Sequence, residues 1–261
     1  MCIFTGEPRT SPGLAVARTR IFARPDGPDQ WLAYAMHVAA PTELAMILPL
    51  PVPIGSADDA ATFVDLSGYS AIFHDLDRCF PQPKIVGAFP ASAPRPQAAP
   101  TPLAVHSMGA FEASYVPHQT DFSRLDPRFR LPDELWQMLP IYSDWGFAII
   151  QLKPGRQDVH PIVVHFPRRW PDRVYFPTVH VHDAALHREA YYDHILYMQG
   201  MRSATPRGAG SERSWRQTDA DLPGHHVDIA RTRGLIDPDL EPERILLQGT
   251  RPNEDVWLTP A

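Results

Sequence analysis

The sequence predicts an α+β protein: a largely antiparallel sheet with a few short helices, folded as a single mixed domain over residues 1–261. Three observations lead there. The chain holds 30 prolines in 261 residues, well above the usual share of about 5%. Proline removes a backbone donor and restricts the residue before it, so long helices are disfavoured and extended segments end early. Apolar runs of strand length recur, with no regular alternation of strands and helices. One segment, residues 184–199, carries the end signals of a helix.

In chain order, residues 14–22 alternate in part, with Arg18 and Arg20 on one face. Residues 31–38 and 43–50 are further strands, joined by short gaps holding Gly27 and Pro41, as in a meander. The run Pro49-Leu50-Pro51-Val52-Pro53 ends the third. Residues 58–79 suit one or two short helices. Residues 90–102 are Pro- and Ala-rich without periodicity, which predicts a surface loop of polyproline character. Residues 109–116 read as a strand. Residues 132–139 read as a short helix, with proline at its start and acids in its first turn. Residues 146–153, 159–166 and 174–182 are strands, the last two joined by a hairpin loop near Trp170. Asp183 is a good N-cap and Gly200 a good C′ residue for the helix 184–199. Residues 201–224 are polar and predict a mobile loop. The last strand is 244–248.

The formal charge of −6 disfavours nucleic-acid binding, which needs a basic footprint. No run is long and apolar enough for a transmembrane helix. The first residues lack the basic and apolar regions of a signal peptide, so a cytoplasmic location is expected. Cys2 and Cys79 are the only cysteines, which excludes a disulfide framework and an all-cysteine metal site.

The densest chemistry lies in residues 177–194. His180, His182, His187 and His194 fall within fifteen residues, where chance would place about 0.7. Imidazole is the commonest metal-ligating side chain. His180 and His182 are two apart on a predicted strand, so they leave one face. His187, in the first turns of the predicted helix, is the natural third ligand. His194, seven residues on, would lie about 10.5 Å along that helix, too far to share an ion with His187. If the hairpin centres near Trp170, His160 faces His180 across two strands, unless Pro161 introduces a bulge. Asp183, Glu189 and Asp193 could orient an imidazole or complete a site. His225 and His226 sit in a Gly/Pro context and read as exposed.

Cys2 offers a second kind of chemistry. Removal of Met1 would leave a thiol nucleophile beside a free amine. Met1-Cys2 with Arg18 resembles the N-terminal-cysteine hydrolases of the bile-salt and penicillin-V acylase type. Those continue with an Asn-x-Asp element, where this chain has Arg24-Pro25-Asp26. Cys2, Ile47-Leu48-Pro49-Leu50-Pro51, and Leu131-Pro132 through Tyr142 to Lys153 also resemble an uncharacterised bacterial domain family. That resemblance implies no activity.

The sequence therefore predicts a mononuclear metalloenzyme with His180, His182 and His187 as ligands, and His194 and His160 as further candidates. The expected cofactor is a transition metal, copper or iron, with zinc also possible. No Glu stands at metalloprotease spacing, while Tyr191, Tyr192, Met198 and Met201 lie nearby, so oxidoreductase chemistry is favoured over hydrolysis. Tyr191 and Cys2 are the candidate catalytic groups. The expected partner is a small-molecule or peptide substrate. The alternatives are a Cys2 amidohydrolase and a metal-binding protein without turnover.

Overall fold

The computed structural model describes residues 2–5, 14–81, 106–108, 111–125, 130–131, 133–182, 185–201 and 204–259. The expected loop 90–102 and the expected cap Asp183 lie outside them. The chain begins with β1 (Cys2–Thr5), β2 (Ala15–Asp26), β3 (Asp29–Ala40), β4 (Leu44–Leu50), β5 (Thr62–Asp65) and helix α1 (Ile72–Asp77). Then come β6 (His106–Met108), β7 (Phe111–Val116), helix α2 (Asp133–Met138), β8 (Gly146–Leu152), β9 (Gly155–Pro167), β10 (Val174–Phe176) and β11 (His180–Val181). The last are β12 (Glu189–Met198), β13 (Thr205–Arg207), β14 (Trp215–Gln217), β15 (Glu243–Pro252) and β16 (Val256–Thr259).

These strands build a six-stranded sheet, β11-β1-β4-β8-β7-β6, and a seven-stranded sheet, β14-β15-β12-β2-β3-β9-β5. A three-stranded sheet, β10-β16-β13, completes them. The main core includes Phe4, Met46, Leu48, Phe111 and Ile150 from the first sheet and Ile21, Tyr34, Val164, Tyr192 and Leu196 from the second. The two large sheets thus pack face to face, as in a sandwich. A second cluster covers the far face of the six-stranded sheet with Leu135 and Trp136 of α2. A third covers part of the far face of the seven-stranded sheet with Phe73 and Leu76 of α1 and Leu235 and Ile236.

The expected α+β class is corrected to a mostly-β, sandwich-like fold of mixed strand direction. The largest single change is at 184–199: residues 189–198 form β12, not a helix. Tyr192, His194, Leu196 and Met198 are all buried, a period of two. Tyr, Ile and His gain little from a helix, and β12 gains ladders on both sides, with β15 and β2. Gly200 (φ +75°) turns the chain after a strand instead of capping a helix. The expected polar loop 201–224 carries β13 and β14.

β4 is buried along its whole length. Covered on both faces, it shows no alternation in sequence. Pro49 is tolerated because, among the described residues, β1 pairs with Ala45–Ile47 and β4 has β8 alone from Leu48 onward. Two bulges shape the larger sheet. In β9, register shifts between Tyr34↔Ile162 and Met36↔Val159, so His160 and Pro161 face one residue of β3. In β2, register shifts between Ala17↔His37 and Arg20↔Ala35, and Arg18 adopts φ +57°.

Gly208 (φ +90°) lies so close to the backbone of Asp255 that a Cβ there would sit 1.9 Å from its carbonyl oxygen. Gly208→Ala is expected to cost about 2 kcal/mol or more, from left-handed strain and displaced backbone. Thermal melting checks this. An unchanged Tm would show that the approach of residue 208 to residue 255 is not a structural constraint.

Candidate functional site

Three imidazoles converge at one end of the sandwich. His180 arrives on β11, which pairs in parallel with β1 in the register Cys2↔His180. His194 arrives on β12, from the opposing sheet. The His180 and His194 Nε2 atoms are 3.1 Å apart, and their ring centroids 4.9 Å apart. The His182 ring is 5.2 Å from that of His180, as expected of residues two apart on one face. Tyr192 stacks 4.7 Å from His180 and 5.1 Å from His194. A cavity of about 560 Å³ adjoins these rings, lined also by Ala15, Ala17, Thr19, His187, Glu189 and Asp193.

The turn between β15 and β16 places His180. Asp255 accepts hydrogen bonds from the hydroxyls of Tyr142 (2.6 Å) and Tyr175 (2.8 Å). Its other oxygen accepts from the backbone N–H groups of Thr178 (2.8 Å) and Val179 (3.1 Å). Burial, reinforced by the Asp255 carboxylate, pushes both phenols well above their ordinary pKa, so they remain donors. Asn253 then clasps the backbone of His180, its Oδ1 accepting from the N–H (2.7 Å) and its Nδ2 donating to the C=O (2.8 Å). The same Nδ2 donates to the carbonyl of His187 (3.0 Å).

His180 and His194 are held neutral. Burial pulls His194 down to about 4. Burial and the neighbouring His194 pull His180 down to about 2. Two neutral rings in Nε2···Nε2 contact require one donor and one acceptor. Nδ1 of His194 lies 3.5 Å from Oδ1 of Asp193, a long, mainly electrostatic contact. It favours the His194 tautomer protonated at Nδ1, making His180 the donor at Nε2. The His194 ring beside it, together with hydrogen bonds from the backbone amides of Arg18 and Thr19, holds the Asp193 carboxyl below its ordinary range. Oδ2 of Asp193 accepts from the Arg18 N–H at 2.6 Å.

The structure gathers His180, His182 and His194, and His187 joins them on the cavity wall from the coil before β12. The sequence separated His187 from His194 by helix geometry, and that separation falls with the helix. His160 is elsewhere: it sits on β9, stacked on Phe111 at 4.5 Å. β9 pairs with β3 and β5, not with the strand carrying His180, so the assumed hairpin register is wrong. Tyr191 points to the outer face and is 72% exposed, leaving Tyr192 beside the imidazoles. Thr19, Asn253 and Asp255 were missed, because nothing local in sequence links them to residues 178–194.

The expected metalloenzyme is overturned. Among the described residues, no group of three or more His, Cys, Asp and Glu side chains is arranged to hold a metal ion. The metal-binding alternative without turnover falls on the same finding. As for the Cys2 amidohydrolase, Arg24, at the place of that family's Asn-x-Asp element, donates to the carbonyls of Gly234 (2.8 Å) and Leu235 (3.2 Å) and lies on β2, while Cys2 lies in the other sheet. Among the described residues, no helix is long and apolar enough to cross a membrane.

Two predictions follow from this geometry. Asp255→Ala strands two buried phenols and two backbone amides, at about 1–3 kcal/mol for each unsatisfied group. A melt should show a loss of several degrees, and an unchanged Tm would remove Asp255 as the anchor of residues 178–180. For pH, an unfolded imidazole titrates near 6.5 and these two far lower. The unfolded chain therefore binds more protons, and this stability is fully present above pH 6.5 and lost as pH falls towards the folded values. Denaturant titrations between pH 6.5 and 5 should show a fall of about 2 kcal/mol per pH unit from the pair. His194→Gln should roughly halve that slope; an unaltered slope would contradict burial of the neutral ring.

No family model and no curated protein matches the sequence. Among solved structures, the chain is similar to baculovirus P35, at TM-score 0.51 and 12% identity over 95% of this chain and 98% of P35. It is also similar to the structure of the caspase-8/P35 complex, at TM-score 0.44 and 11% identity over 94% of this chain and 96% of that one. The likeness to P35 shows a shared fold across nearly the whole of both chains.

Proposed function

We propose that this chain acts by stoichiometric binding to another protein, and that its partner is a protease of the caspase class. The observation that supports this is the extent of the likeness to P35. It takes in 95% of this chain and 98% of P35. P35 has itself been solved in complex with caspase-8. A fold alone does not fix a function, so the proposal stands or falls by direct assay.

The full chain, mixed with purified caspase-8 in equimolar amounts, is expected to co-elute with it on size exclusion and to suppress cleavage of a fluorogenic peptide. Separate elution at about 10 µM each, a concentration that would reveal micromolar affinity, together with undiminished cleavage, would overturn it.

A further inference from the structure

The parallel ladder between β12 and β2 starts only at Ile195↔Arg20. Before that point, among the described residues, β12 pairs with β15 alone and β2 pairs with β3 alone. The cause lies in the bulge at Arg18–Thr19, which breaks the ladder and turns β2 away. Asp193 fills the fork, accepting from the Arg18 N–H. Ala15, Val16 and Ala17 on one side, and Glu189, Ala190 and Tyr191 on the other, border the cavity of about 560 Å³. That volume lies within the range of about 300–1,000 Å³ usual for ligand sites.

Two further observations say what would enter. Thr19 is fully buried and lines the cavity, yet its hydroxyl has no hydrogen-bond partner among the described residues. Buried hydroxyls are normally satisfied, so a partner at the fork is missing. The charges on the described lining are the carboxylates of Glu189 and Asp193, with no Lys or Arg. His180 and His194 add no positive charge, being held neutral by burial. His182 and His187 complete the titratable lining.

We propose that the fork between β2 and β12 binds an extended, basic peptide segment of a partner protein by strand addition. Its backbone joins the facing edges of β2 and β12, its basic side chains meet Glu189 and Asp193, and a small residue on the inner side satisfies Thr19. Main-chain bonds supply affinity and alternate side chains supply selectivity, as in other strand-addition sites. Opposite charges on neighbouring strands favour the basic sequence. The proposal rests on the reading of this chain as a protein-binding protein and names a place on it where a partner segment docks.

The test uses the full chain and a labelled pentapeptide, acetyl-Val-Lys-Thr-Lys-Val-amide, followed by fluorescence anisotropy. The expected result is saturable binding, weakened about tenfold or more when alternate backbone nitrogens are methylated and their hydrogen bonds lost. The peptide with Glu for Lys should bind more weakly. Ala15→Trp, at an exposed site on the rim, should abolish binding, and Glu189→Lys, also exposed, should reverse the preference for Lys over Glu. Equal affinity for parent and methylated peptides, indifference to both variants, or no binding at about 1 mM would each overturn the proposal. None of these outcomes touches the caspase assay, so strand addition can fail while the protease-binding reading survives, and the reverse.

Discussion

The carboxylate of Asp255 is the contact on which the architecture around the histidines depends. It accepts from two buried phenols and two backbone amides at once. These donors come from the segment after α2, from β10, and from the chain entering β11. One short turn therefore joins the three-stranded sheet to the edge of the six-stranded sheet. A carboxylate satisfied by this many donors holds its surroundings more rigidly than apolar packing alone, because each donor would be stranded by its removal. Asn253, two residues earlier, extends the same device to the backbone of His180. Gly208 lets the neighbouring loop approach without a side chain in the way.

The histidine cluster follows from that placement. β11 is only His180–Val181 long, and β1 and the side chain of Asn253 hold it in line. β12 brings His194 from the opposing sheet. The two rings meet between the sheets, where burial makes an imidazolium costly and a neutral hydrogen-bonded pair stable. The same burial that makes the pair compact makes it sensitive to acid. The bulge at Arg18 opens the sheet beside the cluster, so a buried polar group and a solvent-facing slot share one end of the sandwich.

A chain with a clustered set of histidines invites a metal reading, and the spacing of His180 and His182 places their rings side by side as that reading required. What overturned it was the larger arrangement. His187 enters from coil, His160 on β9 stacks on Phe111 of the six-stranded sheet, and among the described residues no three ligating groups are disposed around an ion. The likeness to P35 is one of fold, a mostly-β sandwich shared over 95% of this chain.

The sequence alone marks this chain as rich in strands, through its prolines and apolar runs. It suggested the adjacent pairing of β2 and β3, where Gly27 and a short gap favour a turn, and it marked Pro161 as a place where a missing donor could break a ladder. It also determined that His180 and His182 share a face, because a two-residue period is a property of any strand. Only the tertiary structure decided that residues 189–198 are a strand. Their end signals are local and helical, while their hydrogen-bond partners, residues 243–252 and 20–23, are remote in sequence. Likewise Asp255 and Asn253 became anchors only when folding brought them to residues 178–180. Local propensity is worth tenths of a kilocalorie per residue, roughly 0.7 at most for ordinary residues. Here a two-sided ladder and burial against the opposing sheet outweigh it.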